Sequence, residues 1–246
     1  MTDQPDYESL AAHLKDLEEK CMTWHKPQTS YFLNEEEQAA MLPKFPESSL
    51  IHYDGGYPGA RKKKVIFLYD EEDDFSDIVC LKAKIDQRFR KIGHRDILGA
   101  LMHLQIDRHS FGDFWIDEDH IYLYTSEMMG EFLRQNLTRI NQLSVSFEET
   151  DERPAQVFQT RKFHAVIASE RMDAVVAGIV HCSRAKAKEM IKEGLVQVNH
   201  VLLEHPDKLC DNNSVISIRG YGRYRFLGAL HKTKSDRLAA EFEQSI

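Results

Sequence analysis

Apolar residues recur at helical spacing near the start of the chain. Leu10, Leu14, Leu17 and Cys21 follow at steps of four, three and four with Glu and Lys between them, which predicts a helix with one core-facing stripe. A second short helix is expected from Asn34, an N-cap residue with Glu37 three positions on, ending near Pro43. Tyr53 to Ala60 holds Gly55, Gly56 and Gly59 and reads as a turn. The basic run Arg61 to Lys64 leads into an apolar strand, Val65 to Tyr69, and the acidic run Asp70 to Asp74 reads as a linker.

From Asp77 to Glu149 the pattern alternates between periods of two and about 3.6. It predicts a strand (Ile78 to Ile85), a helix (His94 to Leu104), strands at Phe114 to Asp117 and Ile121 to Thr125, a helix (Glu127 to Ile140) and a strand (Val145 to Glu149). Met128, Phe132, Leu133, Leu137 and Ile140 are expected on one side of the second helix. The βαββαβ order predicts a ferredoxin-like sheet with two helices on one face and the other face free for a ligand. RNA-recognition modules stack bases on such a face, but their Lys/Arg-Gly-aromatic signature is missing from this sequence. Tyr122 and Tyr124 share a face of one strand, and core packing is their expected role.

The Pro-containing charged stretch Thr150 to Gln156 separates the next region, which opens with a strand from Lys162 to Ala168. Met172, Val175, Val176 and Ile179 predict a helix that leaves Arg171 at its start. Ser183 and Gly194 mark the two ends of the next one. On it Arg184, Lys188 and Lys192 are four apart and drift only about 40° per step, forming one basic stripe; Lys186 adds to the charge. A phosphate at Ser183 and Arg184 would gain the guanidinium and the open amides of the first turn. The bland alternative is a solvated charged face. Val196 and Val198 alternate into a tight turn at Asn199-His200, and a last strand carries Arg219, Tyr221, Arg223 and Arg225 with Gly220 and Gly222 between them. Arg and Tyr there offer phosphate pairing and base stacking.

Composition sharpens this division. The 246-residue chain has a formal charge of -8, yet Arg171 to Arg237 holds twelve Lys/Arg against seven Asp/Glu. A basic module on an acidic body points to a polyanion. Cys21, Cys80, Cys182 and Cys210 form no Cys-x-x-Cys pair, and the twelve His show no ligand spacing, so no metal, cofactor or disulfide framework is expected. The thiols read as reduced and cytoplasmic, and nothing in the sequence points to export or a membrane. His94-Arg95-Asp96 lacks the other parts of a kinase site, Asp96 instead capping its helix. The Gly55 to Gly59 turn precedes a strand and not a helix, so it makes no nucleotide cradle.

Arg171-Met172-Asp173, Ser183-Arg184, Lys188, Ile191, Gly194, Val196, Val198-Asn199 and Ile216-Ser217-Ile218-Arg219-Gly220 fall in the order of the S-four RNA-binding domain, which the module resembles. It departs from that pattern at Met172, His200 and Asn212-Asn213-Ser214. With Gly55-Gly56-Tyr57, His94 to Ala100 and Gly112-Asp113, nearly the whole chain resembles the YlmH family of Gram-positive bacteria. The resemblance implies an α+β architecture in three parts: a small N-terminal α/β domain (1–74), the ferredoxin-like middle domain (75–152) and an S-four domain with a leading strand and a C-terminal tail (153–246). It also implies a non-enzymatic protein, a monomer off the ribosome, that binds rRNA and tRNA on the large ribosomal subunit in quality control of stalled nascent chains. Expected RNA contacts are Arg171, Ser183, Arg184, Lys186, Lys188, Lys192, Asn199, Arg219, Arg223 and Arg225. Two alternatives are an RNA-modifying enzyme of the pseudouridine synthase or methyltransferase type, and a cell-division protein using its acidic N-terminal helix as a partner surface.

Overall fold

The computed structural model describes residues 6–88, 91–154, 156, 160–233 and 235–245. Contacts divide the chain into two compact units, Met1–Gln156 and Val157–Ile246. Both mix helices with antiparallel sheets, an α+β organisation.

The first unit begins with α1 (Tyr7–Trp24), which buries Leu10, Leu14, Leu17 and Cys21 as their spacing requires. Next come β1 (Gln28–Thr29), α2 (Glu35–Met41), β2 (Ile51–Asp54) and β3 (Lys64–Phe67). Asn34 caps α2 by accepting from the Glu36 and Glu37 amides, while the Glu37 carboxylate accepts from the Asn34 amide at 2.7 Å. The sheet runs β1-β3-β2 and shares a core with α1 through Leu14, Cys21, Val65 and Phe67.

The same unit continues with β4 (Ile78–Lys84), α3 (His94–His103), β5 (Phe111–Asp117), β6 (His120–Ser126), α4 (Glu127–Asn136), a small hairpin of β7 (Arg139–Ile140) and β8 (Leu143–Ser144), and β9 (Glu148–Thr150). Four of these strands pair in the order β5-β6-β4-β9, all antiparallel. Helix α4 ends four residues earlier than its pattern suggests, at Asn136, and turns a different side inward. Gly130 sits so close to the sheet that a Cβ there would meet Val79 at 2.9 Å. Leu133 is buried, while Met128 is 83% and Phe132 41% exposed. Leu137 and Ile140 still reach the core, but from beyond the helix.

The sheet face opposite α3 and α4 is closed, which corrects the expectation of a free face. Ile78, Cys80, Trp115, Tyr122 and Tyr124 form one buried cluster with Phe32, Tyr57 and Ala60 from the preceding part of the unit. Tyr57 lies 4.9 Å from Tyr124 and 5.4 Å from Trp115, ring centre to ring centre. Tyr122 and Tyr124 are core residues, and bases have no open aromatic platform here.

The second unit contains β10 (Thr160–Ile167), α5 (Met172–Val180), α6 (Arg184–Lys192), β11 (Val196–Val198), β12 (Val201–Leu202), β13 (Val215–Ile218), β14 (Gly222–Lys232) and β15 (Leu238–Ser245). Its six-stranded sheet runs β10-β15-β14-β13-β11-β12. The leading strand and the C-terminal tail expected to flank the module are therefore neighbours, paired from Thr160 with Ser245 to Ile167 with Leu238. Phe163, Ala165, Tyr224, Phe226, Ala240 and Phe242 face one core with α5 and α6.

Candidate nucleic-acid interface

Helix α5 is apolar almost all round and buries Met172, Ala174, Val175, Val176, Ala177 and Ile179. A helix start so enclosed must satisfy its open amides. Here the Met172 and Asp173 amides donate to the carbonyls of Lys208 and Pro206, each at 2.9 Å. This anchors the start of α5 and leaves the Asp173 side chain to do something else.

Asp173 is fully buried, and three cations converge on it. One terminal nitrogen of Arg184 donates to both of its carboxylate oxygens, at 2.9 and 2.8 Å. The Arg171 guanidinium lies 3.4 Å away, and Lys188 Nζ 3.6 Å. Burial by itself would raise the Asp173 pKa, but the hydrogen bonds and charges of Arg184 and Arg171 outweigh it and hold the carboxyl below its ordinary range. One anion under three cations leaves a local charge of +2. The side chains of Arg171, Arg184 and Lys188 keep 39%, 46% and 46% of their surface open. A guanidinium has five N–H donors. Arg184 gives only one nitrogen to Asp173, so other donors remain to face a phosphate.

The expected contact residues fall into groups. Arg171, Arg184 and Lys188 come together, and Lys192 stands one turn further along α6. Ser183 is the N-cap of α6, its hydroxyl accepting from the Lys186 amide at 3.2 Å. Lys186 lies about 200° round the helix from Arg184 and pairs with Glu189 at 3.1 Å, away from the cluster. Asn199 is a turn residue: with His200 it adopts positive φ (49° and 68°), and its side-chain oxygen accepts from the Val215 amide. Arg219 follows β13, where its amide ties the chain to the Leu195 carbonyl just past α6. Arg223 and Arg225 do not extend the cluster. They alternate with Tyr224, which is buried in the helix-side core, so they stand on the opposite sheet face, where Arg225 is in register with Glu243. Asp173 was part of the motif but not an expected contact; its signal is a carboxylate two residues after Arg171, on a helix otherwise wholly apolar.

The basic run before β3 is structural. Asp113 accepts from the Tyr57 hydroxyl and the Arg61 amide, both at 2.7 Å, and Lys64 pairs with Asp77. Lys62 Nζ donates to the Phe111 carbonyl at 2.8 Å and sits 4.4 Å over its ring; burial pulls its pKa down to about 8. Gly56, at φ +91°, leaves no room for a Cβ, which would lie 2.5 Å from Tyr124.

Comparison with known proteins bears on the chain as a whole and not on the Asp173 cluster. Residues 70–154 match the family model described as "Putative RNA-binding domain in YlmH". The ribosome-associated protein quality control protein P2 of Bacillus subtilis (strain 168) is 31% identical over 222 residues, covering 87% of this chain and 85% of its own. A solved structure, the cell division protein ylmH from Streptococcus pneumoniae, covers 61% of this chain and 94% of its own at 16% identity, with a TM-score of 0.47. Likeness to the Bacillus protein extends over both compact units, and on that footing the chain belongs to the YlmH family.

Proposed function

We propose that this chain is a non-enzymatic RNA-binding protein of the cytoplasm that works on the ribosome. It holds ribosomal RNA and tRNA on the large subunit during quality control of stalled nascent chains, and is a monomer off the ribosome. In this reading the second unit is an S-four domain and the β5-β6-β4-β9 sheet with α3 and α4 is ferredoxin-like. The observation that carries it is the cluster at Asp173, where a buried carboxylate fixes three half-open cations in one place. The name of the Bacillus relative supplies the ribosome and the process.

Phosphate contacts release counterions, so affinity must fall with salt. With about five phosphates held, a filter-binding series on ribosomal RNA or tRNA should give a log–log slope of roughly -4. A slope near zero would sink the proposal. Arg184→Gln keeps the helix and leaves Asp173 to Arg171 and Lys188. It should lower co-sedimentation with ribosomal subunits about tenfold, whereas unchanged co-migration would remove Asp173's cluster from the interface.

A further inference from the structure

Residues 70–154, the part matched by the RNA-binding family model, are acidic as a whole: ten Lys/Arg against nineteen Asp/Glu. Their charge is very uneven. Two separate stretches, 87–106 and 132–147, together hold six Lys/Arg and a single acid, Asp96, while the remainder holds four Lys/Arg and eighteen acids. The fold brings these two stretches together. Helix α3 comes from the first, and the end of α4 with the β7–β8 hairpin comes from the second, and α3 lies against β7.

Between them runs a groove of about 640 Å³. Arg95 and His103 of α3 line one side, and Asn136, Arg139 and Asn141 the other. Asp96 is already used: its carboxylate accepts from the Gly93 amide at 2.8 Å and from the Asn141 side chain at 2.6 Å. Arg95 and Arg139 are exposed and have no ion pair among the described residues. Gly99 also lines the groove, in the middle of α3, and a Cβ there would meet nothing within 4 Å. Glycine weakens a helix interior, and here the missing side chain makes room for no neighbour in this chain. It leaves helix backbone open to close approach from outside.

We infer that this groove binds a single strand of RNA along its phosphate backbone, Arg95 and Arg139 each taking a phosphate, while Asn136 and Asn141, whose NH2 groups are held by the Phe132 carbonyl and the Asp96 carboxylate, offer their side-chain oxygens to sugar hydroxyls. The inference rests on the RNA-binding reading above and locates a second contact within it. The sheet face that would otherwise serve is closed by Phe32 and Tyr57. Elsewhere in this stretch the acids would repel a polyanion.

The test uses the full chain and a labelled 20-nucleotide single-stranded RNA in fluorescence anisotropy across a salt series. Arg95→Gln combined with Arg139→Gln should weaken binding about tenfold and flatten the log–log slope by about 1.4, the share of two phosphates on a single strand. Gly99→Leu should melt no lower than the parent, since leucine favours the helix, yet bind several-fold more weakly because it fills the groove. Parental affinity in both variants, with Arg184→Gln weakened, would overturn the groove and leave the function above intact. Polyglutamate displacing the RNA as well as unlabelled RNA of equal charge would also overturn it, in favour of an anion surface. If the parent chain itself bound no RNA, both readings would fall together.

Discussion

In the first compact unit, the four-stranded sheet turns Trp115, Tyr122 and Tyr124 away from its helices, and a buried layer of Phe32 and Tyr57 covers them. In the second, the sheet face away from α5 and α6 carries Lys162, His164 and Arg225 in register with Glu241 and Glu243, and it stays charged. Two sheets with helices on one side thus use their second face in opposite ways. The cations best placed for RNA are on the helix side in both units: Arg95 and Arg139 in the first, Arg184 and Lys188 in the second. They differ in support. A buried carboxylate organises those of the second unit, whereas Arg95 and Arg139 of the first have no ion pair among the described residues, and Asp96 in the same groove caps its own helix.

The sharpest way to break the comparison is to pry open the covered face. Gly56→Val puts a branched side chain at φ +91° and within 2.5 Å of Tyr124. Backbone strain and overpacking together should cost roughly 3–5 kcal/mol, read by urea denaturation. A loss under about 1 kcal/mol would show that Tyr57 and its turn do not seal the sheet. The corresponding cut in the second unit is Asp173→Asn, which removes the charge that three cations share. Because those cations can still reach water, the expected cost is about 2 kcal/mol and not the larger penalty of a fully enclosed pair. Acid should imitate it. Folding depresses the Asp173 pKa, so its contribution is whole above the unfolded value of 3.8 and is lost as pH falls through the lower folded value. An Asp173→Asn variant should accordingly show a flatter acid limb in the unfolding profile of this unit.

What could be read from sequence was local. The Asn34–Glu37 capping box, the Ser183 cap and the stripe at Leu10, Leu14, Leu17 and Cys21 are each set by residues within a few turns, and the structure has them all. What escaped depends on distant partners. Leu238, Ala240 and Phe242 alternate as a strand should, but nothing local says that they pair with Ile167, Ala165 and Phe163. The expected side of α4 held for Leu133, Leu137 and Ile140 but failed at Met128 and Phe132, because Gly130, with no side chain of its own to suggest burial, is what lies against the sheet. The basic stripe on α6 was legible, while its anchor was not: Asp173 becomes the centre only when α5 and α6 pack together.

Base tests the first unit as acid tests the second, with the same sign. Buried Lys62 holds its proton less firmly in the folded state, at about 8 against 10.5, so between these values the unfolded chain binds more protons. Stability of the first unit should therefore rise with pH between about 8 and 10.5, by on the order of 2–3 kcal/mol. Lys62→Met should flatten that rise; a parent profile already flat over this range would mean that Lys62 is solvated.

The smallest effect is also the most discriminating for the second unit. Arg225 is as basic as Arg184 and sits in the same module, so a model in which RNA responds only to local net charge predicts similar losses for both. The strand register predicts otherwise. Alternation along β14 sends Tyr224 and Phe226 into the core beneath the helices and Arg225 to the other face, beside Glu243. There the acids of β15 already answer the positive charge, and a strand lying along α6 has no path to it. Arg225→Gln should leave RNA affinity within about twofold of the parent, under 0.5 kcal/mol, in the same salt series that shows the Arg184→Gln loss. Equal losses from the two variants would mean that the charged sheet face is part of the RNA path, and that the cluster at Asp173 is one contact among several and not its centre.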